Sequence, residues 1–233
     1  MGYQFLFLFM FLQYFSLAAK AGETNEDFHT WGNLTAISSL GGLNPELANL
    51  KLWLEGQGRF GEDTSRFSQG ILRLGLGYSV NDYVSLWIGY AWIPTAEPFT
   101  QSAFDEHRIW QQLLWNKSFS IGGVMGRTRL EQRYVGNESD VGWRFRQFFK
   151  IIKPLPIAAN FSFVVWDEIF VDINLPAWKA SNGFDQNRVF AGIGYQFDPH
   201  VRMEIGYVNQ YISKPTGDDA MNHIISVNMY LNY

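Results

Sequence analysis

Apolar and polar residues alternate with a period of two along most of the chain after residue 21. In residues 72–80, leucine, tyrosine and valine occupy the even positions, and arginine, glycine and serine occupy the odd ones. Residues 84–92 and 225–233 show a similar alternation. Because successive side chains of a strand point to opposite faces, this pattern predicts β-strands that each present one apolar face.

Short turns and long polar loops follow one another between these segments, with turns predicted at 81–82, 116–117, 153–156 and 198–200. The predicted strands are 47–60, 68–80, 83–93, 105–116, 119–134, 141–152, 158–172, 185–197, 200–212 and 222–233. Residues 31–39 resemble an eleventh strand, although bacterial outer-membrane barrels usually have an even number. The sequence therefore predicts an all-β fold, a transmembrane antiparallel up-and-down β-barrel of about ten strands, with twelve as the alternative.

Residues 124–134 distinguish a membrane barrel from a water-soluble one. Their odd positions from 127 to 133 carry three arginines and a glutamate, which would cost about 2–4 kcal/mol each on the lipid face near the bilayer midplane. A soluble barrel would be expected to mix lysine into its exposed face. Instead, four lysines fall in predicted turns and loops: Lys117, Lys153, Lys179 and Lys214. These observations place the charged face in the lumen.

The same parity defines a lumenal charge network on the inward faces of the strands. Its members are Glu55, Arg59, Arg73, Glu106, Arg108, Arg127, Arg129, Glu131, Arg133, Arg144, Arg146, Glu168, Arg188, Arg202 and Glu204. Arginine outnumbers glutamate in this set. The network predicts either ion pairs that close a narrow barrel or an arginine-biased path for small anions.

Aromatic residues on the opposite parity cluster near the predicted strand ends. They form an expected aromatic girdle at two membrane interfaces, made of Tyr78, Trp92, Trp115, Tyr134, Trp143, Tyr195, Phe197, Tyr211 and Tyr233. Asp167 does not fit, because it shares the apolar parity of its strand. A β-bulge near Asp167 would restore the register.

Composition narrows the class of protein further. Charged residues make up only 17% of the 233 residues, the formal net charge is −4 and no basic run is present, which argues against a nucleic-acid partner. The chain has no cysteine, which excludes disulfides and cysteine chemistry. Residues 1–21 combine an apolar run with an Ala-Lys-Ala end and predict a cleaved signal peptide, leaving the barrel as residues 22–233.

Several short motifs carry a resemblance to a known family. They are Trp31, Glu106-His107-Arg108 with Gln112, Arg129-Leu130-Glu131-Gln132-Arg133, Arg144-Phe145-Arg146, Asp167-Glu168 and Asn187-Arg188. With these motifs the chain resembles the bacterial outer-membrane barrel family known as domain of unknown function 2490. Its last strand, ending on Tyr233, also resembles the C-terminal strand that the barrel-assembly machinery recognises in outer-membrane proteins. The resemblance implies a β-barrel in the bacterial outer membrane and implies no activity.

The sequence offers weak grounds for catalysis. None of the four histidines has the His-x-Ser spacing of outer-membrane lipid hydrolases, and Asp105 with His107 is a weak protease-like pair at the rim. We therefore expect a non-enzymatic protein without cofactor or metal, either a narrow passive pore or a structural envelope protein; the alternative is an enzyme acting on lipids or peptides at the barrel rim. The expected partners are outer-membrane lipids, lipopolysaccharide, the assembly machinery and small anions.

Overall fold

The computed structural model describes residues 24–136, 138–156 and 158–233. The predicted signal peptide, residues 1–21, lies outside the described residues. The strands are β1 (Thr24–Ser39), β2 (Leu50–Gly61), β3 (Arg66–Ser79), β4 (Val84–Thr95), β5 (Phe104–Phe119), β6 (Gly122–Val135), β7 (Gly142–Leu155), β8 (Ala158–Asp172), β9 (Gly183–Gln196), β10 (Val201–Ile212) and β11 (Asp219–Asn232). Two short 3-10 helices, Leu40–Gly42 and Pro45–Leu47, join β1 to β2. None of the described helices is long and apolar enough to cross a membrane.

The strands form one closed barrel, so the predicted fold class is confirmed. Consecutive strands pair antiparallel, and β1 closes the barrel by pairing parallel to β11, from Thr24 opposite Asp219 to Ile37 opposite Asn232. We call the rim with the β2–β3, β4–β5, β6–β7, β8–β9 and β10–β11 connections the loop end, and the opposite rim the turn end. Strand β1 therefore starts at the loop end.

The described residues form eleven strands, one more than the predicted ten, because residues 31–39 belong to a longer strand that begins at Thr24. The polar start of this strand hides its alternation. At the turn end the Ser39 amide donates to the Tyr233 carbonyl over 2.7 Å, and the Tyr233 amide donates to the Ile37 carbonyl over 2.9 Å. The terminal aromatic residue thus belongs to the seam that closes the barrel.

The predicted turn at 116–117 is wrong, and the one at 153–156 begins too early, because β7 continues to Leu155. Residues 116–117 lie inside β5, whose pairing with β6 continues to Phe119 opposite Gly122. Lys153 and Pro154 lie inside β7, with a register irregularity after Pro154. In both places cross-strand hydrogen bonding extends the ladder through residues that favour turns in isolation, because tertiary pairing outweighs local preference.

Apolar side chains fill part of the interior, which the sequence did not predict. One cluster on β2–β5 contains Trp53, Ile71, Trp87, Ala91, Ile93 and Trp110. A second cluster contains Trp31, Val164, Phe190, Val208 and Ile224. Glycine makes room for the largest rings: a Cβ at Gly89 would lie 2.3 Å from the Trp110 ring. Small barrels commonly fill with side chains in this way.

The outer face is strongly apolar, and Leu72 and Leu74 are each 56% exposed. The nine girdle residues lie on this outer parity, and Tyr78, Phe197 and Tyr233 are its most exposed members. The β-bulge suggested near Asp167 is not observed at that residue. The register irregularity in the pairing of β8 with β9 falls between Phe170 and Val171. Asp167 stays on the outer face, where the Asn187 amide donates to both of its carboxylate oxygens over 3.0 Å.

Candidate functional site

The inward faces of β5–β8 bring acidic and basic side chains together around Glu131. This glutamate is 1% exposed and accepts hydrogen bonds from Arg144 over 2.7 Å and from Arg146 over 2.6 Å. Arg108 lies 3.5 Å away and Arg129 lies 3.7 Å away. A buried carboxylate needs such partners, because an unpaired buried charge is very costly. Glu131 is therefore a shared ion-pair partner of four arginines from three strands.

Two further glutamates extend the network toward the neighbouring strands. Glu106 accepts from Arg108 over 2.7 and 2.8 Å, and from Arg133 over 2.5 Å. Glu168 accepts from Arg127 over 2.6 Å and from Arg146 over 2.7 Å. Because Arg108 and Arg146 each reach two glutamates, Glu106, Glu131 and Glu168 form one connected network.

Two smaller pairs lie apart from this network. Glu55 pairs with Arg73 and also accepts the Trp53 indole N–H over 2.9 Å. Glu204 is fully buried and pairs with Lys150 over 2.7 Å and with Arg202 over 2.9 Å. Lys150 is a lumenal residue that sequence reasoning missed by assigning lysine to turns and loops. Its parity, shared with Arg144 and Arg146 on β7, was the available signal.

Arg59 and Arg188 differ from the other lumenal arginines. Among the described residues, neither has a carboxylate within 4.0 Å. Arg59 donates to Gln69 over 2.8 Å and to Gln57 over 3.0 Å. In the structure, all the predicted network residues except Arg59 and Arg188 form ion pairs. The function of the network stays a prediction.

Aromatic rings support several of the arginines. The Arg129 guanidinium lies 4.7 Å from the Trp110 ring centroid, and the Arg146 guanidinium lies 4.5 Å from that of Phe170. Gln112 accepts two hydrogen bonds from Arg129, over 2.9 and 2.6 Å. These contacts hold the guanidinium groups in fixed positions, because stacking and forked hydrogen bonds both suit a planar cation.

A second set of charges lies at the loop end. Lys179, in the β8–β9 connection, contacts Asp172 and lies 2.8 Å from Asp185. Burial lowers the pKa of Lys179, and the charge of Asp185 acts in the opposite direction. Trp178 in the same connection stacks on Arg133 at 5.1 Å. The β8–β9 connection is thereby tied to the mouth of the lumen.

A cavity of about 710 Å³ runs among these side chains. Its lining extends from Asp27 and Lys214 at the loop end to Ile37 and Asn232 at the turn end. A single ligand pocket typically measures roughly 300–1,000 Å³, so this volume is small for a cavity whose lining reaches both ends of a barrel. Phe99 from the β4–β5 connection also lines the cavity and packs against His29 with ring centroids 4.9 Å apart. The interior is therefore narrow.

The predicted rim pair does not form a catalytic arrangement in the described part of the chain. His107 lies on the outer face, where its Nδ1 is 2.5 Å from the Tyr90 hydroxyl, and no hydrogen bond joins it to Asp105. His29 pairs with Asp27 over 2.7 Å, but no serine or threonine hydroxyl hydrogen bonds to this histidine among the residues described. Residues 24–136, 138–156 and 158–233 contain no group of three or more histidine and acidic side chains arranged to hold a metal ion.

The closed barrel with its charged lumen defines a porin-like β-barrel. The chain is similar in fold to the NanC porin, with a TM-score of 0.51 and 9% identity, covering 86% of this chain and 98% of that one. The chain belongs to the family described as "Protein of unknown function (DUF2490)", which matches residues 28–222. This match confirms the resemblance seen in the sequence.

A curated relative extends the match over nearly the whole chain. An uncharacterized protein of Methylorubrum extorquens is 33% identical over 218 residues, which cover 93% of this chain and 92% of the relative. The family description and the name of this relative state no activity.

Proposed function

We propose that this protein is a narrow passive pore of the bacterial outer membrane with a preference for small anions. The observation that carries this proposal is the cavity, whose lining reaches both ends of the barrel through a charged interior. In pores, rings of charged side chains select ions by their sign. A pore that selects ions by sign therefore needs an inner surface on which one sign of charge is in excess.

The charge balance of the interior favours anions. The lumenal charge network contains ten arginines and five glutamates. Adding Lys150, Lys179 and Lys214 together with Asp27, Asp172 and Asp185 gives thirteen cationic groups and eight carboxylates. Such an excess of fixed positive charge attracts small anions and repels cations, most strongly at low ionic strength.

The proposed membrane location is supported by the outer face. Leu54, Leu74 and Ile88 are 52%, 56% and 55% exposed, so contiguous apolar surface covers strands where a soluble protein would carry polar residues. Outer-membrane lipids, including lipopolysaccharide, would cover this surface, and the assembly machinery would insert the barrel by way of its last strand. The predicted girdle residues would lie at the two interfaces.

A structural envelope protein is the second candidate, and a specific observation favours it. Ion pairs and two apolar clusters occupy much of the interior and leave a narrow passage. The two candidates therefore share one architecture and differ only in permeability.

Single-channel recording in a planar bilayer distinguishes the two candidates. The refolded protein, residues 22–233, should give discrete small current steps, consistent with a narrow passage. A gel of unboiled samples provides the folding control, because a folded barrel migrates differently from the boiled chain. Folded protein that gives no steps would contradict the pore and support the structural candidate.

A further inference from the structure

In the described part of the chain, two guanidinium groups inside the lumen have no carboxylate within 4.0 Å. Arg188 is 8% exposed, and its cross-strand neighbour Glu168 is already bound by Arg127 and Arg146. Arg59, on β2, faces Gln69 and Gln57 instead of an acid. Amide oxygens satisfy single N–H groups but do not neutralise charge. The other eight arginines of the lumenal charge network each lie within 4.0 Å of at least one carboxylate.

Trp31 brings these two arginines close together. Its ring centroid lies 4.0 Å from the Arg59 guanidinium carbon and 4.9 Å from that of Arg188. The two guanidinium carbons are therefore no more than about 9 Å apart, because both contact the same ring. Like charges held so close in a buried site repel each other, which an anion between them would relieve.

The donors around this position are incompletely used. Arg59 Nε and Trp31 Nε1 are buried and have no acceptor among the described residues. Arg188 donates through Nε to Gln186 over 3.1 Å, and its Nη2 lies 3.2 Å from the Gln210 amide, whose oxygen accepts from it when the amide is flipped. Its Nη1 has no acceptor among the described residues. Both arginines line the cavity, so a solute in the lumen can reach them. The cavity therefore gives a solute access to two positively charged side chains, and Arg188 keeps one terminal nitrogen free to donate.

We infer that Arg59 and Arg188 form a binding site for the phosphate group of a small soluble solute, positioned by Trp31. A guanidinium that forms paired N–H···O bonds of 2.7–2.9 Å to a phosphate holds its carbon roughly 4 Å from the phosphorus, so two forks roughly 8 Å apart can share one phosphate. A phosphate monoester carries a charge of about −1.5 to −2 at pH 7, which matches two unpaired guanidinium groups. A single carboxylate neutralises only one of them.

The inference depends on the proposed pore only for how the solute reaches the site.

The phosphate site is tested by calorimetric titration of inorganic phosphate into the folded protein, residues 22–233, in detergent micelles at low chloride and pH 7.5. We expect saturable binding, and acetate should bind at least about tenfold more weakly, because it supplies one charge instead of two. Equal affinity for acetate and phosphate, or no saturable binding of phosphate, would overturn the inference.

Matched variants assign the binding to this pair. R59Q and R188Q should each weaken phosphate binding by about tenfold or more, the loss expected from one charged hydrogen-bonding partner. R66Q removes an arginine that is 52% exposed at the loop end and pairs with Glu97, so it should bind phosphate like the parent protein. R59K and R188K keep the charge without the fork and should give intermediate affinities, which preserves the test if a glutamine variant fails to fold.

The outcomes separate this site from the proposed pore. Phosphate binding without conductance would support the site and contradict the pore. Anion-selective conductance without phosphate binding would support the pore and overturn the site. Binding that R59Q and R188Q leave unchanged would place the phosphate elsewhere in the lumen and would also overturn the inference.

Discussion

At the scale of single residues, Glu131 is the centre of the lumenal charge network. Arg108, Arg129, Arg144 and Arg146 all lie within 4.0 Å of its carboxylate. Replacing one partner of a buried ion pair leaves the other charge without compensation, which typically costs about 3–5 kcal/mol. Loss of the Glu131 charge would remove a partner from all four arginines and would leave Arg129 without a carboxylate within 4.0 Å among the described residues.

The variant E131Q should accordingly lower the free energy of unfolding by about 3–5 kcal/mol. The glutamine keeps the size of the side chain and removes its charge. Urea unfolding of the refolded protein in detergent, followed by tryptophan fluorescence, measures the change. E46Q, at an exposed position in the second 3-10 helix, is the control and should have little effect. Equal stability of E131Q and the parent protein would show that the network does not stabilise the barrel.

The alternation of residues indicates which side chains face inward, but it does not indicate which inward side chains contact one another. Lys150 shares the parity of Arg144, yet its partner Glu204 lies 54 positions further along the chain. The inward tryptophans Trp53 and Trp110 are of the same residue type as those of the outer girdle, and only closure of the barrel brings them together. Alternation identifies a face of a strand and gives no information about its distant neighbours.

At the scale of elements, the parallel pair β1–β11 is the least expected feature. The antiparallel ladders of β2 to β11 follow from the alternation of short and long connections. Strand β1 instead begins in the polar residues from Thr24, so its start could not be recognised by period two. An odd number of strands then requires that the first and last strands run parallel where the barrel closes.

An engineered disulfide tests this seam. Ala36 and Leu231 are register partners with outer parity, and neighbouring strands lie about 4.8 Å apart, within the Cα separation that a disulfide spans. The double variant A36C/L231C should form an intramolecular disulfide in the folded barrel, seen as a mobility change on a non-reducing gel. The chain has no cysteine of its own, so the background is clean.

The control for the seam is A36C/M221C. Met221 pairs with Glu26, ten positions from Ala36 along β1, or roughly 33 Å along the strand. This pair should stay reduced in folded protein. Failure of A36C/L231C to crosslink while the protein remains folded would mean that β1 does not close the barrel in this register.

At the scale of the whole molecule, the barrel has an apolar exterior and an interior in which positive charges outnumber negative ones. The fold class was predictable because strand length, parity and the sequence of turns and loops all indicate the same architecture. The proposed phosphate site at Arg59 and Arg188 was not predictable from the sequence, because Trp31 on β1 brings together residues from β2 and β9. That contact exists only once the parallel seam is known.

The reversal potential across a planar bilayer tests the central proposal most directly. With a tenfold KCl gradient and the refolded protein in the membrane, the excess of lumenal arginine predicts a shift toward the chloride equilibrium potential, and the shift should diminish as total salt rises. A shift toward the potassium equilibrium potential would contradict the account, because cations would then be passing through an interior that carries more positive than negative groups.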